Sequence, residues 1–295
     1  MKNTWLTLLG LNLLTAPLAA TAQQFGDFSY SSDGAAITIT GYTGPGGAVN
    51  IPSTITDLPV TRIGDEAFRT RTSLTRITIP SSVTTIGDSA FHNCTSLSSV
   101  TIPESVTYIG IGAFEHCNSL TSVTIPSSVT IIRGYAFSDC YGLVAFVVDP
   151  ACPAYCSLDG VLFNKDLTML WQCPGGRSGG YAVPGSVTSI GFAAFKGCTS
   201  LTSVAIPSSV TNIWHAAFNA CTKLTAVVIP SSVSGLGSDA FMSCLSLTNV
   251  TIPASITSIE PGTFLDCGSL PNVTIPGSVT NWANYPARIY RIRSP

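Results

Sequence analysis

Residues 102–125 read Ile102-Pro-Glu-Ser-Val106-Thr-Tyr-Ile109-Gly-Ile-Gly-Ala113-Phe114-Glu-His-Cys117-Asn-Ser-Leu120-Thr-Ser-Val123-Thr-Ile125, and Pro126 follows. The apolar positions of this stretch return in register along most of the chain. Ile79-Pro80, Ile102-Pro103 and Ile125-Pro126 are 23 residues apart, and the same spacing resumes through Val183-Pro184, Ile206-Pro207, Ile229-Pro230, Ile252-Pro253 and Ile275-Pro276. A unit this short cannot bury its own apolar side chains. Successive copies must stack, so that like residues pile into continuous core columns.

Within one unit, Leu120 to Ile125 alternates branched apolar residues with Thr and Ser, the pattern of a short strand with one face buried. Pro126 ends it, because proline has no N–H for a central ladder. Strands of neighbouring units then pair in parallel at about 4.8 Å. Ile109 to Phe114 turns the chain back through a tight turn and about one turn of helix. Phe68, Phe91, Phe114, Phe137, Phe195, Phe218, Phe241 and Phe264 share one column and form an aromatic spine.

Segments such as Leu120-Thr-Ser-Val-Thr-Ile-Pro-Ser-Ser-Val-Thr and Ala90-Phe-His-Asn-Cys-Thr-Ser-Leu97 resemble the BspA-type leucine-rich repeats of bacterial and protist surface proteins. The likeness covers roughly residues 48 to 282. It implies an α/β fold: a right-handed leucine-rich-repeat solenoid, strand-rich with short helical turns, and adhesion to host proteins, matrix proteins or other cells. The family brings no catalytic residues.

Export is expected from the first 22 residues. Lys2 supplies a positive start, Trp5 to Leu14 an apolar core, and Ala20-Thr21-Ala22 a cleavage site. That core is shorter than the roughly 20 apolar residues of a spanning helix, so the mature chain starts at Gln23 with no membrane span. Residues 23–50 then form an N-terminal β-hairpin cap, with Phe28-Ser-Tyr30 and Ala36 to Thr40 as its strands. The solenoid occupies 51–282, and 283–295 form a C-terminal basic tail or cap carrying Arg288, Arg291 and Arg293.

Only 9% of the residues are charged and the net charge is −2, against about a quarter charged in ordinary soluble chains. Thr and Ser make the surface polar instead. With no basic run, the chain lacks the electrostatic footprint of a nucleic-acid binder.

The period fails once, where Val148 and Val183 stand 35 residues apart. Inside this insertion, 149–182, Gly160-Val-Leu-Phe163 and Thr168-Met-Leu-Trp171 flank Asn164 to Leu167 and read as a β-hairpin. Insertions in solenoids often lie on the binding face.

Seven of the ten cysteines, Cys94, Cys117, Cys140, Cys198, Cys221, Cys244 and Cys267, share one column and read as small buried hydrophobes in reduced form. Cys152, Cys156 and Cys173 lie in the insertion. A hairpin there brings Cys156 and Cys173 together at its base as a candidate disulfide. Three cysteines lack the fourth ligand of a structural metal site.

His92, His116 and His215 have no Ser-His-Asp, paired-carboxylate or zinc-type partners in the sequence, although His92, His116 and Glu115 fall on adjacent turns. No catalytic, cofactor or metal site is expected. On the outward face most units present Thr and Ser, whereas one presents Val144, Ala145 and Val147. Val144 and Val147, with Phe163 and Trp171 of the insertion, form the candidate partner-binding patch, unless the insertion itself covers it. The expected role is recognition or adhesion outside the cell, binding a protein or glycan. The alternative is a passive structural component of an envelope or matrix.

Overall fold

The computed structural model describes residues 22–271 and 273–282. All but the last residue of the export segment, and the whole basic tail, lie outside the described residues.

Each regular turn of the solenoid contributes to three ladders. The first is a parallel sheet in which Arg76 faces Ser99, Ser122 faces Ala145, and Ser203 faces Ala226, which in turn faces Asn249. In the strand Ser122–Ile125, Val123 and Ile125 are buried while Ser122 and Thr124 are exposed. This is the two-residue alternation of a half-buried strand.

The second ladder is built mostly from two-residue strands. Arg62, Thr85, Tyr108 and Ile131 are successive partners on one side of the insertion; Met169, Ser189, Asn212 and Gly235 are on the other. The isoleucines that follow, Ile63, Ile86, Ile109 and Ile132, all point into the core.

The third ladder corrects the expectation of short helical turns: none of the described residues is helical. Left-handed backbone brackets each return segment, for example at Ser89 (φ 54°) and Asn93 (φ 60°), and at Ala216 (φ 55°) and Ala220 (φ 58°). A residue with positive φ interrupts a right-handed helix. The freed N–H groups bond to the next turn instead. Phe68 N–H donates to Ala90 O at 2.7 Å, Phe91 to Ala113 at 2.7 Å, and Phe218 to Ala240 at 2.7 Å.

The phenylalanines stack as rings. Phe91 and Phe114 are 5.1 Å apart and 9° from parallel, and Phe218 and Phe241 are 5.1 Å apart and 2° from parallel. The cysteine column has its own polar logic. Cys94 Sγ–H donates to Phe68 O at 3.1 Å, Cys117 to Phe91 O at 3.3 Å, and Cys267 to Phe241 O at 3.1 Å. A thiol here fills a small apolar space and also gives a turn carbonyl a second donor.

At the N-terminal end, Gln23–Phe25, Phe28–Ser32 and Ile37–Tyr42 pair antiparallel. The last of these joins Leu58–Ile63 in parallel, so it continues the second ladder. The Tyr42 ring stacks on Phe68 at 5.4 Å, covering the first ring of the spine.

The insertion adds three antiparallel strands, Tyr155–Leu158, Val161–Asn164 and Met169–Gln172. The middle strand is buried on both faces. Leu162 packs into the core of the preceding turns, while Val161 and Phe163 pack into the core of the following ones. Strand alternation therefore turns this segment into a partition between two hydrophobic cores. The aromatic spine breaks at the same place. Phe137 meets Phe146 edge-on at 5.4 Å, and the spine restarts at Phe195, which packs on Tyr181 at 6.0 Å.

All ten cysteines are thiols in this structure, and Cys156 alone is not fully buried. Burial pushes Cys94 and Cys140 up to about 12, and it raises Cys156 as well. A thiolate is the reactive form. Aromatic disulfide reagents are therefore expected to titrate at most one thiol slowly in the folded chain, and all ten after denaturation. Rapid labelling of several thiols without denaturant would contradict the buried column.

Candidate binding site at the repeat interruption

The return segments follow a strict rule at one position. Gly64, Gly87, Gly110, Gly191 and Gly237 occupy a shared column, and a side chain at most of these positions would press into the backbone of the preceding turn: a Cβ on Gly110 would lie 2.5 Å from Gly87 C, and one on Gly237 2.2 Å from His215 N. Arg133, Trp214 and Glu260 depart from that rule. In the next column, the first turns carry Asp65 and Asp88, whose carboxylates accept the N–H groups of Asp88 (3.0 Å) and Ile111 (2.8 Å). Ile111 and Phe192 take this place beside the insertion.

Arg133, Trp214, Ile111 and Phe192 line one groove of about 660 Å³. Ile111, Ile131, Arg133 and Tyr135 from the turns before the insertion line it, together with Tyr155, Met169 and Trp171 of the insertion and Phe192 and Trp214 of the turns after it. Phe192 and Trp214 meet edge-to-face at 4.7 Å, as do Tyr155 and Trp171 at 5.6 Å. Phe192 is 45% exposed and Ile131 also 45%. Tyr155 Oη accepts the Ile132 N–H at 2.8 Å, which occupies a donor on the ladder beside the groove.

Next to Tyr135 lies an ionic cluster that ties the two sides of the insertion together. Lys196 Nζ donates to Glu115 Oε1 at 2.8 Å and to Asp139 Oδ2, and it lies 5.5 Å from the Tyr135 ring centre. Burial opposes the ammonium charge, but Asp139 and Glu115 outweigh it and raise the Lys196 pKa. Glu115, His116 and Asp139 could converge on a metal ion. The Lys196 ammonium already bridges the two carboxylates, so the cluster is read as an internal ion-pair clasp.

His92 Nε2 lies 3.8 Å from Glu115 Oε2, and its buried Nδ1 has no hydrogen-bond partner. Burial lowers the His92 pKa below its ordinary 6.5, and the attraction of Glu115 only partly offsets this. The unfolded chain therefore takes up the proton more readily than the folded one, and stability falls as pH drops below about 6.5. The melting temperature is expected to fall less between pH 7.5 and 5 in a His92→Gln variant than in the unsubstituted chain. Equal slopes would remove His92 as the cause.

The residues expected to form one patch are separated. Val144 and Val147 are 60% and 53% exposed on the first sheet. Phe163 is fully buried in the second core, and Trp171 belongs to the other sheet, where it lines the groove. Cys156 Sγ–H donates to Asn164 O at 3.2 Å, whereas Cys173 neighbours Cys198. The structure thus places the two thiols of the candidate disulfide with different partners. Lys196, Phe192, Trp214 and Arg133 escaped the sequence reading. The broken glycine column was the signal that could have found the last two.

Along the first sheet, one outward column carries Thr78 and Thr101, then Thr124 paired with Val147. In the separate sheet beyond the insertion, the equivalent outward positions are Ala182, Ala205 and Val228, followed by Thr251. Val228 is 68% exposed.

No curated protein matches this sequence. Among solved structures, a leucine-rich repeat protein from Eubacterium ventriosum is 21% identical, with 91% of each chain covered and a TM-score of 0.63. The pneumococcal vaccine antigen PcpA is 19% identical, covering 93% of this chain and 94% of its own, with a TM-score of 0.54. At these identities the likeness establishes the fold alone. The family model for the BspA type leucine rich repeat region matches in 6 copies over residues 48–153 and 181–286. Two runs of stacked turns on either side of an elaborated one, with the matched repeats filling most of its length, make this chain a member of the BspA-type leucine-rich repeat family.

Proposed function

We propose that this protein is exported and acts in recognition or adhesion, binding an extracellular protein or glycan through the outward face of its first sheet. Membership of the family points to a protein-interaction or surface role. Among the described residues, no helix is long and apolar enough to cross a membrane. The observation that carries the reading is the apolar run Ala182, Ala205 and Val228 in an outward column, with Val147 exposed at the equivalent position before the insertion. Threonine is what an exposed sheet face tolerates without a partner. Grouped exposed apolar residues mark contact surfaces.

The test uses the chain from residue 23 onward, presented to immobilised matrix proteins and a glycan array. Saturable binding to one of them is expected, with affinity reduced at least tenfold by Val147→Asp or Val228→Asp. Binding unchanged by both substitutions would remove this face from the role. Concentration-dependent assembly without any ligand would point to a passive structural component instead.

A further inference from the structure

The groove beside the insertion lies outside the sheet face just proposed for partner binding, and its chemistry is different. We propose that it is a binding site for a small amphiphilic anion, with an apolar body held between Trp171, Phe192 and Trp214 and an acidic group on Arg133. The volume, about 660 Å³, is that of a small-molecule site, and its lining is largely aromatic and aliphatic.

Ile111, Ile131, Phe192 and Trp214 are all large, apolar and exposed, and all four line this one groove. Leaving them in water is unfavourable, and such clusters mark ligand grooves. Three of them, Ile111, Phe192 and Trp214, stand where earlier turns of the solenoid carry aspartate or glycine, so the repeat does not need them for folding.

The polar side of the argument rests on charge. Arg133 is exposed, lines the groove and makes no ion pair among the described residues. The nearby Lys196 is already engaged by Glu115 and Asp139. Arg133 is therefore the uncommitted charge, and it favours an acidic ligand group over a neutral or cationic one. Addition of a peptide strand is the weaker fit, because the Ile132 N–H that would greet it is taken by Tyr155 Oη.

The probe is 8-anilinonaphthalene-1-sulfonate, an aromatic sulfonate whose fluorescence rises on apolar binding, added to the folded chain. One saturable site is expected, with decanoate displacing the dye at least tenfold more effectively than decanol. Phe192→Ala and Trp214→Ala should weaken dye and decanoate together by tenfold or more, with Ile131→Ser as a second wall variant should either fail to fold. Arg133→Gln should reduce decanoate to the level of decanol and leave decanol unchanged. Equal displacement by decanoate and decanol in the unsubstituted chain, or no effect of Arg133→Gln, overturns the proposal. So does a peptide ending in a free leucine carboxylate that displaces the dye more tightly than decanoate, which would make the occupant a protein terminus. These outcomes are independent of whether Val147 and Val228 bind a partner.

Discussion

Replacing Lys196 with methionine is expected to lower the unfolding free energy by about 3 kcal/mol, the low end of the range for breaking a buried ion pair by removing one partner. The loss comes less from missing attraction than from what stays behind. Asp139 is 5% exposed and Glu115 19%, so two carboxylates are left facing each other with little water to solvate them. A chain that carries Lys196→Met together with Glu115→Gln and Asp139→Asn should recover most of the stability, because a neutral cluster has no such penalty. Urea unfolding of the parent, single-variant and triple-variant chains measures both effects. If the single variant were as stable as the parent, or the triple variant no better than the single, the clasp would not join the two sides of the insertion. The single variant should also loosen Tyr135, whose ring lies over the ammonium, and thereby one wall of the groove.

Phe114→Ala is expected to cost about 3–5 kcal/mol, the usual range for emptying a fully buried aromatic site. Its ring lies between Phe91 at 5.1 Å and Phe137 at 5.3 Å, so both neighbours lose their stacking surface. Among the described residues, Phe264 is stacked on Phe241 alone, at 5.6 Å. In a solenoid each unit is stabilised mainly through its neighbours, so Phe264→Ala should cost clearly less. Denaturant midpoints of the two variants decide the matter, and equal losses would contradict a nearest-neighbour account of the spine.

The columns were legible because stacking repeats the same contact at the same offset. Phe91, Cys94 and Leu97 recur every 23 residues, and each is fully buried. The return segment was misjudged. Ala113-Phe114-Glu115-His116 has the composition of a helical turn, yet with positive φ at Gly112 and His116 the N–H groups of Phe114 and His116 go to the next unit. Residue identity alone does not reveal this, since Ala220 and Ser243 adopt the same conformation without side chains suited to it.

The insertion was read as a β-hairpin from two apolar segments that flank Asn164 to Leu167. Burial of Val161, Leu162 and Phe163 together requires cores on both sides of one strand, and the pattern of a single segment does not carry that information. The groove escaped for a related reason. Arg133 and Trp214 look unremarkable until they are aligned with Gly64, Gly87, Gly110 and Gly237. The clasp joins residues 57 and 81 positions apart, a separation that the 23-residue period does not connect.

The partition strand has a consequence for how such a chain can change over generations. Near-identical coding units invite unequal recombination, which adds or deletes whole turns. With Leu162 closing one core and Val161 and Phe163 closing the other, either arm can lengthen or shorten without exposing the apolar interior of its companion. Every residue that lines the groove falls between Ile111 and Trp214. Gain or loss of a unit before Phe91 or after Phe241 therefore alters reach and surface area while leaving the site itself intact.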